Sequence, residues 1–209
     1  MTEPSTKQRL LEVAAEVYAE KGYRNVRVRE ICERAGANIA AVNYHFGDKQ
    51  QLYDEVLRYA FFNVAGDDPT KLDLGGEGAD PPERLRGFIR MMVGQFLMEG
   101  RSALYTKLVA RELVDPTHAL DRVIEEGMRP QIDALFPIIR DLLGNRADEQ
   151  LVRRCTGSIL AQCIFYYFGR QVILQIPLEE KLGPEQIDAL TDHVTRFSLA
   201  ALERLAQVE

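Results

Sequence analysis

The stretch Val28–Lys49, VREICERAGANIAAVNYHFGDK, decides how this chain is read. Val28, Ile31, Cys32 and Ala35 recur at i, i+3, i+4 and i+7, the apolar stripe of a short amphipathic helix. Gly36 closes that helix, because a residue without a Cβ readily enters the left-handed conformation that ends helices. Asn38 is a strong N-cap for a second helix starting at Ile39, on which Ile39, Val42 and Phe46 are expected to face inward. Ala40, Ala41, Asn43, Tyr44 and His45 are left outward, two methyl groups beside amide, phenol and imidazole. Two short helices joined at a glycine, the second with such a face, make a helix-turn-helix suited to base edges and phosphates.

The flanks extend this reading. Gly47 ends the second helix, and Asp48 caps the next one with Gln51 at its N3 position. Lys49 then falls in a first helical turn, where a cation opposes the helix dipole but suits an external anion such as a phosphate. Upstream, Ser5 and Gln8 have capping-box spacing, and Leu10, Leu11, Ala14, Val17 and Tyr18 line one face of a helix that ends at Gly22. Three helices can thus share one small core.

From about Lys7 to Leu57 the chain resembles the N-terminal domain of the TetR family of regulators. The resemblance rests on a first helix, the Gly22-Tyr23 turn, and a helix-turn-helix ending in Tyr44-His45-Phe46 and Lys49. The run Asn38–Lys49, taken with Arg111-Glu112-Leu113-Val114-Asp115-Pro116-Thr117, is most similar to the CecR-type subgroup. The resemblance implies that Ile39–Phe46 is the recognition helix, with Ala40, Ala41, Asn43, Tyr44 and His45 toward DNA. It also implies Arg29 near a base or phosphate and Lys49 on the backbone. Asn38, at the helix cap, is counted with this DNA-binding set. Arg27 departs from the family's usual capping Thr, although an Arg there reaches phosphate, and Asn43 departs from the usual apolar, Thr or Tyr residue.

The 209 residues, 46% of them hydrophobic, suffice for one or two domains with substantial cores. The formal charge of −6 is uneven: residues 1–60 hold nine basic and nine acidic side chains, so the whole deficit lies in 61–209. Within 21–49 six cations face three carboxylates, a local basic face that serves phosphate contact while the acidic remainder repels non-specific DNA. Cys32, Cys155 and Cys163 have no metal-type spacing, occupy apolar helical positions and suit a reducing cytoplasm. A polar N-terminus through Arg9, and no apolar run of about 18 residues, predict a soluble cytoplasmic chain with no membrane partner.

Gly66–Pro82 is dense in Gly, Pro and Asp and is expected to be a mobile linker. Beyond it the apolar patterns predict helices over 85–97, 102–113, 117–143 with an interruption near Pro130 and Pro137, 148–176 and 184–207. Asp115 is expected to cap the helix that follows Pro116. The last two helices are apolar on more than one face, through Leu151, Val152, Cys155, Ile159, Cys163, Tyr166, Phe168 and Val172 in one and Ile187, Leu190, Val194, Phe197, Ala201 and Leu205 in the other. A homodimer is the simplest cover for the surplus and matches the two-fold symmetry of operators read by helix-turn-helix proteins; the other reading is an internal pair in a larger monomeric bundle. Met91, Met92, Phe96, Tyr105, Leu108, Phe165 and Tyr167 offer apolar material for a small-molecule effector pocket, with Arg111, Glu112 and His118 as polar anchors. The same stripe also reads as ordinary core, and Arg111 and Glu112 as a structural charge pair or as solvated side chains.

Catalysis finds little support. His45, His118 and His193 are scattered, Asp115-x-x-His118 stands alone where a di-metal bundle needs two Glu-x-x-His motifs, and Gly75-Gly76-Glu77-Gly78 lacks the Lys-Ser/Thr of a phosphate loop. No metal, cofactor or enzymatic activity is expected. The fold expected is all-α: a three-helix helix-turn-helix DNA-binding domain over 1–60 and a helical effector-binding and dimerisation domain over 61–209. The function expected is a dimeric, ligand-responsive regulator of transcription, a repressor by resemblance, partnered by double-stranded DNA, itself and an unidentified small molecule. The alternative is a helical ligand-binding or protein-interaction module that does not bind DNA.

Overall fold

Every regular element among the described residues is helical, in a computed structural model that describes residues 5–65, 74, 76, 78–97, 101–176 and 182–207. In chain order these are α1 (Thr6–Lys21), α2 (Val28–Ala35), α3 (Ile39–Phe46), α4 (Lys49–Ala65), α5 (Pro81–Leu97), α6 (Arg101–Val114) and α7 (Leu120–Arg122). A π-helical segment, Val123–Met128, leads into α8 (Arg129–Leu143), followed by α9 (Glu149–Phe168), α10 (Arg170–Gln175) and α11 (Ile187–Gln207). The chain forms two compact units. The first holds α1–α4 with α6, α7 and the segment through Gly127; the second holds α5 and the chain from Met128 onward. This division departs from the single boundary near residue 60, because α6 packs on α1 and α4.

The first unit buries Leu10, Leu11, Ala14, Val17 and Tyr18 of α1 against Ile31 of α2, Val42 and Phe46 of α3, and Leu52, Tyr53 and Val56 of α4. On α6, Leu108 is fully buried, and Glu112, one turn later on the same face, is 1% exposed. A carboxyl group removed from water is costly unless its oxygens accept hydrogen bonds. Here Tyr53 Oη donates to Glu112 Oε1 at 2.7 Å. The Thr117 amide and hydroxyl both donate to Oε2, at 3.1 and 3.0 Å. Burial, and then the neighbouring Glu112, raises the Tyr53 phenol far above its usual range, so it remains a donor. The neighbouring Arg111 donates to the carbonyls of Ala19 (2.8 Å) and Glu20, which the end of α1 would otherwise leave open. Asp115 does not cap the following helix. It pairs with Arg24 at 3.4 Å, and the Thr117 hydroxyl accepts the Ala119 amide instead.

In the second unit, α5 begins inside the expected linker. Asp80 Oδ1 accepts the Glu83 amide at 2.8 Å and Glu83 Oε2 accepts the Asp80 amide at 3.1 Å, a reciprocal cap that lets Pro81 and Pro82 open the helix. Residues 66–73, 75 and 77 of that stretch lie outside the described residues. The core joins Phe88, Ile89 and Val93 of α5 with Leu135, Ile138 and Ile139 of α8, Val152, Ile159 and Cys163 of α9, and Leu190, Val194 and Leu202 of α11. Burial pushes the Cys163 thiol up to about 12. The interruption near Pro130 takes the form of the π-helical segment just before it, whereas Pro137 sits inside α8 without ending it. The expected 148–176 helix breaks at Gly169, where a Cβ would lie 2.7 Å from both the Phe165 ring and its carbonyl oxygen. Outside the core, Phe165, Phe168 and Val172 on α9 and α10, and Phe197, Ala201 and Leu205 on α11, remain exposed.

Tyr53→Phe removes one donor from a buried carboxyl group while keeping the ring, and we expect it to destabilise the protein by about 1–3 kcal/mol in urea unfolding. Unchanged stability would mean that Glu112 is satisfied by Thr117 alone.

Candidate nucleic-acid interface

Two caps set the angle between α2 and α3. Gly36 adopts φ 61°, ψ 37°, and the Ala37 amide returns to the Cys32 carbonyl at 2.9 Å, closing α2 in a left-handed turn. Asn38 Oδ1 accepts the Ala41 amide at 2.8 Å, so α3 starts where the cap predicts. The Asn38 side chain is therefore engaged in the fold. Asp48 Oδ1 accepts the Gln51 amide at 2.8 Å and starts α4. The Ser5 cap forms only half of its box: the Gln8 amide nitrogen donates to Ser5 Oγ, but the Gln8 side chain turns to Glu12 and Tyr59.

Val42 and Phe46 lock α3 to the core, leaving Ala40 and Asn43 exposed, Ala41 and His45 half-buried, and Tyr44 85% exposed. Ile39 departs from the inward stripe. It is 49% exposed. The Tyr44 and His45 rings meet edge to face at 5.0 Å. The exposed face thus carries an aliphatic group, a methyl, an amide and a phenol, which match thymine methyls and the donors and acceptors of base edges.

Much of the basic surplus in 21–49 is already paired. Lys21 and Arg34 meet Glu30 at 2.6 and 2.9 Å, Arg34 also meets Glu20 at 3.1 Å, and Arg29 pairs with Glu33 at 2.9 Å. The hydrogen bond from Lys21 above all, with Arg34 adding, holds Glu30 below the usual carboxylate range. Among the described residues Arg27 and Lys49 have no such partner. Arg27 is exposed and makes no side-chain cap to α2. Lys49 Nζ sits 4.5 Å from the centroid of the Tyr23 ring, and burial lowers its pKa from the ordinary value. Lys7, which the motif-based reading passed over, places its ammonium 5.8 Å from the Phe46 ring at the end of α3. Its distance along the chain from the motif hid it.

The residues expected to form an effector pocket are divided between the two units. Met92 is in the core of the second unit, with Phe165 exposed and Tyr167 half-buried on α9. The side chains of Phe96 and Tyr105 lie outside the described residues. Leu108, Arg111 and Glu112 belong to the first unit and are used within it, and His118 Nε2 lies 2.9 Å from Asp54 Oδ1. Arg111, Glu112 and His118 therefore fasten α6 and the turn after it to α1 and α4, the helices that flank the helix-turn-helix. The charge-pair reading of Arg111 and Glu112 is corrected too, since each bonds to a different element.

The family described as bacterial regulatory proteins, tetR family, matches residues 10–56. The C-terminal domain of the HTH-type transcriptional dual regulator CecR matches residues 81–202. The dual regulator CecR of Shigella flexneri is 25% identical over 208 residues, 96% of this chain and 93% of that protein. The transcriptional repressor NicS of Pseudomonas putida is 26% identical over 208 residues, 96% of this chain and 92% of that protein. A crystal structure of AibR with isovaleryl coenzyme A and operator DNA superposes with a TM-score of 0.63 at 17% identity, over 92% of this chain and 97% of that one, a likeness of fold.

Arg27→Ala is expected to lower the slope of log affinity against log salt on duplex DNA by about one unit, as loss of one phosphate contact does. Arg29→Ala should lower it by clearly less, because Glu33 already offsets that charge. Equal losses in salt titrations would show that Arg29 leaves Glu33 on the duplex.

Proposed function

Because the chain belongs to the TetR family of bacterial regulatory proteins, with a C-terminal domain of the CecR type, we propose that it is a ligand-responsive transcriptional regulator that reads a near-palindromic operator as a homodimer. The observation that carries this reading is α3 itself. Its buried Val42 and Phe46 fix a helix whose Ala40, Asn43 and Tyr44 are open to a major groove. Arg27 and Lys49 flank it as cations available to phosphate, and Ala41 and His45 border the same face. Two copies of α3 would enter successive grooves roughly 34–36 Å apart. The exposed stripes Phe165, Phe168, Val172 and Phe197, Ala201, Leu205 supply the self-complementary apolar surface that such a dimer needs.

The effector is assigned to the second unit, with Met92, Phe165 and Tyr167 as its apolar candidates. Its binding would favour a form of the dimer with a different α3 spacing, at a cost in DNA affinity equal to its preference for that form. Repression is the polarity in the name of NicS, whereas CecR is named a dual regulator, and the small molecule and operator bound together in AibR support a ligand-responsive mode. The site is not read as catalytic: His45 lies between the rings of Tyr44 and Phe46, His118 beside Asp54, and His193 near Phe197, three unconnected settings. Among the described residues no helix is long and apolar enough to cross a membrane, consistent with the cytoplasmic setting in which DNA is reached.

Selection of bound sequences from a random duplex pool tests this reading. The chain should enrich an inverted repeat, and Asn43→Ala with Tyr44→Ala should abolish that enrichment while leaving a folded dimer by sedimentation. An unaltered repeat in the double variant would remove α3 as the reading helix. No enrichment by the folded parent would favour a helical binding module without DNA recognition.

A further inference from the structure

We propose that Tyr23 is a positioning residue for Lys49, its ring face holding the ammonium for a DNA phosphate, and that the end of α6 builds this seat through Tyr53, Glu112 and His118. The inference rests on the DNA-reading function proposed above and assigns a mechanism to one of its contacts.

A basic side chain that must meet a phosphate has to be held in place without losing its charge. A carboxylate partner fixes position but offsets the charge, as Glu33 does for Arg29. An aromatic face fixes position through its quadrupole and leaves the charge in full. Lys49 is held in the second way, with its ammonium 4.5 Å from the Tyr23 centroid. Its backbone is held as well, the Tyr18 hydroxyl donating to the Lys49 carbonyl at 3.5 Å.

Tyr23 lies in the turn between α1 and α2, and a turn does not by itself fix a ring. Its neighbours do so. The Tyr53 ring packs against it at 4.9 Å and the His118 ring meets it edge to face at 5.3 Å. Each of these is fastened from a second element: the Tyr53 hydroxyl to the buried Glu112 of α6, and the His118 imidazole to Asp54 of α4. The connection from Glu112 to Lys49 thus runs through Tyr53 and Tyr23 in unbroken contact. It lies entirely within the first unit. A displacement of the last turn of α6 would reach a phosphate contact without any change in α3, which gives this end of α6 a function beyond packing.

The test is a potassium chloride titration of binding to a short duplex of arbitrary sequence by the intact protein and four variants: Lys49→Ala, Tyr23→Leu, Tyr23→Phe, and the first two combined. Lys49→Ala should lower the salt slope by about one unit. Tyr23→Leu should weaken binding about two- to fivefold at fixed salt, the double variant should lose no more than Lys49→Ala alone, and Tyr23→Phe, which keeps the ring face, should bind as the parent does. Additive losses, or full binding by Tyr23→Leu alongside a loss in Lys49→Ala, would overturn the positioning role and leave the DNA contact standing. An unchanged slope in Lys49→Ala would remove the contact and the positioning role with it. Should Tyr23→Leu fail to fold, NMR of the lysine-labelled parent decides: the Lys49 ε-methylene must be shifted upfield by the Tyr23 ring, and an ordinary shift overturns the seat.

Discussion

A carboxyl group taken out of water must find its hydrogen bonds inside the protein, and the rest of the first unit is arranged around that requirement at Glu112. Tyr53 supplies one bond from α4 and Thr117 supplies two from the turn that follows α6. The Thr117 hydroxyl also lies 3.1 Å from Oε1, and loss of these donors together would strand a buried acceptor at about 1–3 kcal/mol. Glu112 therefore ties α6 to α4 more specifically than Leu108, whose apolar contact tolerates sliding. Arg111 adds the other direction by closing the end of α1. A helix that sequence order would place beyond the DNA-binding domain is in this way part of it.

That arrangement also sorts the charges. The basic surplus of residues 21–49 is a sum, and a sum does not say which cations are free. Lys21, Arg24, Arg29 and Arg34 are each held by a carboxylate, while Arg27 and Lys49 have none among the described residues. Exposed pairs of this kind are weak and screened by salt, yet each carboxylate offsets the charge its cation can offer a phosphate. What distinguishes Lys49 is that its position is fixed by Tyr23, so less side-chain freedom is lost when a phosphate arrives. The second unit bears the surplus apolar surface instead.

The helix-turn-helix was legible because its signals are local. Gly36, Asn38 and Asp48 each act on a backbone group a few residues away, and each does so here. Ile39 belongs to the apolar stripe of α3 in sequence yet is 49% exposed, because periodicity alone does not say how far a core extends. Pro81 and Pro82 were assigned to a linker since their meaning depends on Asp80 and Glu83, a cap embedded in a run of helix breakers. The roles of Arg111, Glu112 and His118 could not be read at all. Their partners, Ala19, Tyr53 and Asp54, lie some 60 to 90 residues away, and no periodicity encodes which helix a polar side chain will meet.

Hydrogen exchange followed by mass spectrometry, on the full chain free and bound to the duplex it selects, tests most directly whether α6 belongs to the DNA-reading unit. A ligand slows exchange throughout the cooperative unit to which it binds. Bound DNA should therefore slow the amides of α3 and, together with them, those of α1, α4 and the last turns of α6 around Leu108 and Glu112. Slowing at α3 with α6 unchanged would contradict the weld at Glu112, and no slowing at α3 would contradict the reading helix itself.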